Sequence, residues 1–324
     1  MAASVPAAAP HRGPLDGKPK LADRIGDPLF RGLAALAGVI SVALLIWIVE
    51  TVFNQASPAF SKFGLSFIGK DVWNPVTNHY GAASLIYGTL VSSFIALIIA
   101  TPMAIAIAIY LTELAPRAVR RPVAILVELL AAIPSVILGL WGIIVLGPFM
   151  GNHLEPFLKS FLGWIPLFSG TPSPYGMLTA ALILTIMALP IVTSITREVF
   201  ETTPGELKEA AYALGSTRWE MVRMTILPLG RPGVVGAMIL GLGRALGEAI
   251  AVTQVIGNAT QIKASLFAPA GTLAAQIASE YQSANPGLGV SSLIYLAAIL
   301  LVMALIVNII ARIIVRRFTV ARAG

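Results

Sequence analysis

Apolar residues along the chain gather into six long runs separated by more polar segments. The runs are Leu33 to Phe53, Ala82 to Leu111, Pro122 to Met150, Tyr175 to Ile195, Val234 to Gly257 and Ser291 to Val315. Each is long enough to cross a hydrocarbon core of about 30 Å as a helix. The pattern therefore predicts an all-α polytopic membrane protein with six transmembrane helices. The first run is too long for a signal-peptide core, and no small-residue cleavage pattern closes it, so it is expected to be retained as a span. Pro102, Pro134 and Pro190 lie inside runs and predict kinks. At Ile133-Pro134-Ser135-Val136 a proline would free a backbone carbonyl, with Ser135 as a candidate to satisfy it. Residues 1–28 are rich in Ala, Pro and Gly with mixed charge and read as a disordered cytoplasmic tail, leaving 29–324 as one six-helix domain. Residues 54–80 interleave aromatics with single charges, as an interfacial segment does. Within 258–290, the stretch SLFAPAGTLAAQIASEY reads as a semi-apolar helix.

One segment between runs, inside the loop 200–232, has helical periodicity of its own: Thr203 to Pro228. Thr203, Pro204 and Glu206 stand at N-cap, N1 and N3 of a predicted helix, which is a capping-box arrangement. Leu207, Ala210, Ala211 and Leu214 recur at i, i+3, i+4, i+7 and predict one apolar stripe. Gly215 follows where a left-handed residue ends a helix. Thr217 and Glu220 form a second capping box, and Pro228 is expected to stop the second helix.

Composition narrows the class. Among 324 residues 57% are hydrophobic, only 11% are charged and the mean hydropathy is +0.85. A soluble domain carries about 25% charge. The net charge of +7 does not point to nucleic acid once its placement is considered. Lys and Arg cluster in the N-terminal tail, in 114–121, in 197–231 and after 311. The intervening loops hold only Lys62, Lys70, Lys159 and Lys263. The positive-inside rule then puts both termini and the loop 200–232 in the cytoplasm. There is no cysteine, and His11, His79 and His153 lack metal-ligand spacing, so no metal or cofactor is expected. HExxH, GxSxG and Walker A patterns are missing, which argues against an enzyme and assigns any ATP hydrolysis to a partner.

The fifth run holds two charges. Arg244 lies about 15 Å along the helix from Val234, near the bilayer midplane. Glu248 follows four residues on and is expected on the same helix face. Gly241, Gly243 and Gly247 surround the pair. Such charges persist inside membranes when they face a bundle interior or an aqueous cavity. One reading is a self-neutralising structural pair. The other is an anion path, because a guanidinium suits bidentate recognition of a tetrahedral oxyanion. Arg244, Glu248, Ser135 and Thr253 are taken as the substrate path.

Two resemblances join these observations. Glu209-Ala210-Ala211, three residues, Gly215, and then Leu227-Pro228 resemble the EAA loop of ABC-importer permeases, with Thr225 where the family usually has an aliphatic residue. In that family the loop is a coupling helix that docks on the cytoplasmic ATPase. GLGRALGEAIAVTQVIGN, WNPVTNHYGAASLIYGTL, LTELAP and ELLAAIPSVILGLWG are similar to blocks of the PstC-type permease of the phosphate-specific ABC importer, from Trp73 to the C-terminus. The first 70 residues match poorly. The resemblance implies a type I ABC-importer permease fold in a bacterial plasma (inner) membrane. It implies a PstA-type permease, two copies of a PstB-type ATPase and a PstS-type phosphate-binding protein as partners, with phosphate as substrate. It also places transport residues at Arg244 and Glu248. The alternatives are a permease for sulfate or molybdate and, from another class, an ion-coupled carrier.

Overall fold

A computed structural model describes residues 21–320, with side chains described over 28–313. The chain divides into two units, 1–51 and 52–324. Helix α1 (Leu21–Phe63) runs through the boundary. Its start lies inside the segment read as a tail, of which residues 1–20 fall outside the described residues. In the first unit α1 exposes many large apolar side chains, Leu36, Ile40 and Trp47 among them.

In the second unit the remaining spans are α2 (Ala83–Leu114), α4 (Ser135–Leu162), α5 (Met177–Glu201), α7 (Arg218–Gly247) and the helix from Leu288. With α1, six helices among the described residues are long and apolar enough to cross a membrane. Amphipathic α3 (Arg117–Ala132) and α6 (Gly205–Ala213) connect them at the end where Lys and Arg cluster, called here the basic end. Short α8 (Ile250–Val255) and α9 (Leu273–Glu280) follow α7, and α10 (Leu288–Val320) closes the chain.

Lipid tails are as apolar as leucine, so helix association in a membrane rests on close packing of small residues. Ala96, Ala100, Ala104 and Ala108 recur every fourth residue on α2 and are each 0% exposed. This flat stripe lets α2 lie along α5, which in turn packs on α7. Hydroxyls inside the bundle close onto backbone: the Thr89 hydroxyl donates to the Leu85 carbonyl and accepts from the Leu273 amide at 2.9 Å, tying α9 to α2.

Two expected boundaries move. The third span was expected from Pro122 with a kink at Pro134. Instead the helix ends at Ala132, Ile133 and Pro134 are extended, and a new helix begins at Ser135. A residue before proline is driven out of the α region, and here both Ile133 (ψ 125°) and Pro134 (ψ 136°) take that path. The freed carbonyl is therefore replaced by two helix termini, and the Ser135 hydroxyl makes no hydrogen bond among the described residues. The segment Arg117–Ala132 is thus a separate amphipathic helix rather than a turn plus a half-span, held to α5 by Arg197–Glu128 at 3.4 Å. The stretch 265–281 is helical only from Leu273, where the Thr272 hydroxyl accepts from the Ala275 amide. Before it, Leu266, Phe267 and Ala270 are buried in non-helical chain against α5.

Candidate functional site

Helix α7 does not continue to Gly257. It ends at Gly247, Glu248 is extended (φ −72°, ψ 121°), and α8 starts at Ile250. Gly241, Gly243 and Gly247 weaken the helix here, since glycine gains least from helical order. The Glu248 carboxylate completes the break: its Oε1 accepts from the Ala251 amide at 3.3 Å, as a side chain at a helix start does. The expected i,i+4 pair on one face is therefore corrected. Glu248 is outside the helix that carries Arg244 and serves the start of the next one.

The start of α4 lies alongside α8. A Cβ on Gly139 would come within 2.9 Å of the Ala251 Cα and the Gln254 amide. One on Gly142 would come within 2.7 Å of Val255 Cγ1. Rising numbers on α4 pair with rising numbers on α8, so the two helices run parallel, and Ser135 stands level with the Gly247–Ala249 break. Two spans thus interrupt their backbone at the same depth. Interrupted backbone inside a membrane persists only beside protein or along a water-filled cavity.

Arg244 sits one turn before the break, exposed, with no hydrogen-bond or ion-pair partner among the described residues. Its guanidinium is available in full to an anion. Thr253 does not join this group. Its hydroxyl is committed to the Ala249 carbonyl at 2.8 Å and turns to the Ala275 carbonyl at 3.3 Å, binding α8 to α9. Gln254 was not anticipated. It is half-buried against Gly139, and its one sequence signal is an amide inside an apolar run.

The expected coupling residues lie at the basic end. The first capping box is absent: Pro204 itself is the N-cap, so Glu206 falls at N2 instead of N3 and the spacing fails by one residue. The second box forms, with the Glu220 carboxylate accepting from the Thr217 amide at 2.8 Å. Gly215 takes φ +82°, its amide bonding to the Tyr212 carbonyl and that of Ser216 to the Ala211 carbonyl, the six-to-one closure of a Schellman turn. Pro228 does not stop the second helix. The chain passes from Arg218 through a π-helical turn, Val222–Ile226, into the membrane span that includes Leu227 and Pro228. The missing proline N–H would have pointed back to Met224, inside the turn where the hydrogen-bond ladder already widens.

Most of the predicted apolar stripe on α6 is not packed against this chain. Glu209 and Ala210 are exposed and Ala211 is half-buried. Leu214 is 87% exposed and Trp219, just beyond the glycine, 62%. This apolar, mixed-charge surface stands next to the Schellman turn.

The family described as binding-protein-dependent transport system inner membrane component matches residues 100–320. The chain is 47% identical over 302 residues to a phosphate transport system permease protein PstC of Mesorhizobium japonicum, covering 92% of each. It is 44% identical to the protein of the same description in Pasteurella multocida, covering 92% of this chain and 94% of that one. Among solved structures, a subunit of a bacterial alginate ABC transporter in complex with a periplasmic protein shares the fold, with a TM-score of 0.61 at 18% identity over 92% of this chain and 98% of that one.

Proposed function

Because the chain belongs to the family of binding-protein-dependent transport system inner membrane components, we propose that it is the permease subunit of an ATP-driven importer of inorganic phosphate. The observation that carries the reading is the unpartnered Arg244 one turn from a break shared by two spans. Phosphate presents a tetrahedral array of oxygens that a guanidinium fork binds with two charge-assisted hydrogen bonds. Arg244 is the anion-recognising group, Glu248 shapes the break beside it, and Ser135 lines the same level. Thr253 supports this path from behind. The protein lies in a bacterial inner membrane with both termini cytoplasmic, so the basic end faces ATP.

A PstA-type permease supplies the other half of the path, two PstB-type ATPases supply hydrolysis and a PstS-type binding protein supplies phosphate. Glu209, Ala210, Ala211 and Gly215 present the docking surface, and Leu227 and Pro228 carry its motion into α7. The test is reconstitution of these four components in proteoliposomes. Expected is ATP-dependent phosphate uptake that excess sulfate or molybdate does not compete away. Uptake that follows an ion gradient without ATP, or competition by either oxyanion, rejects the proposal.

Gly215 gives a narrower check. No atom lies within 4 Å of where its Cβ would stand, so substitution there acts through φ alone. Gly215→Val should cost about 1–2 kcal/mol in the turn and weaken ATPase association, whereas Gly215→Asn should be tolerated. Co-purification of the ATPase at the wild-type ratio with the valine variant would count against a docking role for this turn.

A further inference from the structure

Of the nine residues of α6, only Lys208 and Ala211 are half-buried and the rest are exposed, Leu207 and Tyr212 at 45% each. Hydrophobic contact with the membrane body is therefore small, with Ala211 packed on the cluster that includes Ala108 and Met221. What does hold it is an ion pair: Lys208 Nζ lies 2.6 Å from Glu113 Oε1, with side chains only 22% and 11% exposed. A pair this sheltered is screened far less than one on an open surface.

The position of Glu113 matters as much as its distance. It lies in a π-helical turn, Tyr110–Leu114, that ends α2. The same turn is held from α3, where the Arg120 guanidinium donates to the Thr112 carbonyl at 2.9 Å. On its other side, α6 is followed by a helix that passes through another π-helical turn, Val222–Ile226, into the span bearing Arg244. Widened turns of this kind concentrate where helices bend in function. The short coupling helix is thus tied to span five by continuous backbone and to span two by the Lys208–Glu113 pair, its one ion pair among the described residues, each through a π turn.

We infer that Lys208 and Glu113 are positioning residues that form a latch making span two follow the coupling helix. The role rests on the reading above that α6 docks on the ATPase. A load applied to α6 then reaches two spans. With the latch cut, it reaches span five alone, and hydrolysis loses its link to the state of the path.

The test uses the complete reconstituted complex. Lys208→Gln, Glu113→Gln and the exchange Glu113→Lys with Lys208→Glu are compared for complex yield, basal ATPase, and ATPase stimulated by phosphate-loaded binding protein. Expected are wild-type yield and basal rate in the single variants, with stimulation reduced by about fivefold or more, the low end of typical inter-site coupling. The exchange should recover at least about half of it, since like exposure on the two sides accepts either polarity. Full stimulation in the single variants overturns the latch. So does a single variant that fails to assemble, because the pair would then hold the fold together instead of relaying motion. So does an exchange that restores nothing. A wild-type complex without stimulated hydrolysis would instead reject the underlying importer reading.

Discussion

Arg244→Lys should abolish most phosphate uptake while the complex assembles normally. The lysine keeps the charge but loses the planar fork, and the lost charge-assisted hydrogen bonds are worth about 1.5–3 kcal/mol, or about 10- to 150-fold in uptake. Arg244→Gln should fall at least as far. Assembly should survive because the guanidinium is exposed and pairs with nothing among the described residues, so removing it strands no partner within the chain. The broken helix changes what is expected of Glu248. Exchanging the charges, Arg244→Glu with Glu248→Arg, should restore nothing, because no pair exists to be rebuilt. Glu248→Gln should be the milder change, since an amide oxygen can still accept from Ala251. Uptake by the exchanged protein at half the wild-type rate or more would sink the anion-site role. A complex that fails to form with Arg244→Gln would instead place the guanidinium at the contact with the partner permease.

The elements most legible in the sequence were those set by length and periodicity. Six apolar runs, the Schellman glycine at 215 and the Thr217–Glu220 box follow from local rules, and each is present in the structure. The breaks were harder. Pro134 announced an interruption, yet hydropathy could not distinguish a kinked span from an amphipathic helix followed by a fresh start, because α3 is itself rich in Leu, Val and Ala. The stop at Gly247 had no proline. It depends on a glycine-rich stretch and on the Glu248 carboxylate, which leaves the helix and accepts from the Ala251 amide at the start of the next one. The π turns at 110–114 and 222–226 have no sequence signature at all. Thr253 was singled out as a hydroxyl in the path, but a hydroxyl one turn beyond a helix start is as well placed to close onto backbone, and that use prevails. The role of Lys208 has no local signal, because its partner Glu113 lies far away in sequence on another span. Local pattern thus located the span that carries Arg244 and the amphipathic helix at the basic end, and tertiary packing decided which of their side chains have partners among the described residues.

The other large effect should come from Gly139, where no charge is involved. A Cβ there would meet the Ala251 Cα at 2.9 Å, a backbone atom that cannot swing aside, and the Gln254 amide at the same distance. Gly139→Val must therefore push α4 and α8 apart at the level just beyond the paired breaks. Overpacking of this kind costs about 1–3 kcal/mol even where side chains can yield, and a backbone contact should place it at the upper end. Expected are a lowered thermal midpoint of the detergent-solubilised complex and near-complete loss of uptake, with Gly139→Ala intermediate in both. Gly243→Ala is the matched comparison, on a glycine of α7 with no atom within 4 Å of its would-be Cβ. In a helix interior that change should raise stability by about 0.5–1 kcal/mol. If Gly243 keeps room for an anion beside Arg244, uptake should nevertheless fall while the midpoint rises. Stability and transport moving in opposite directions at Gly243, and falling together at Gly139, would separate space reserved for the solute from space needed to close the helices. A Gly139→Val protein with wild-type midpoint and uptake would refute the parallel packing of α4 and α8 as the frame of the site.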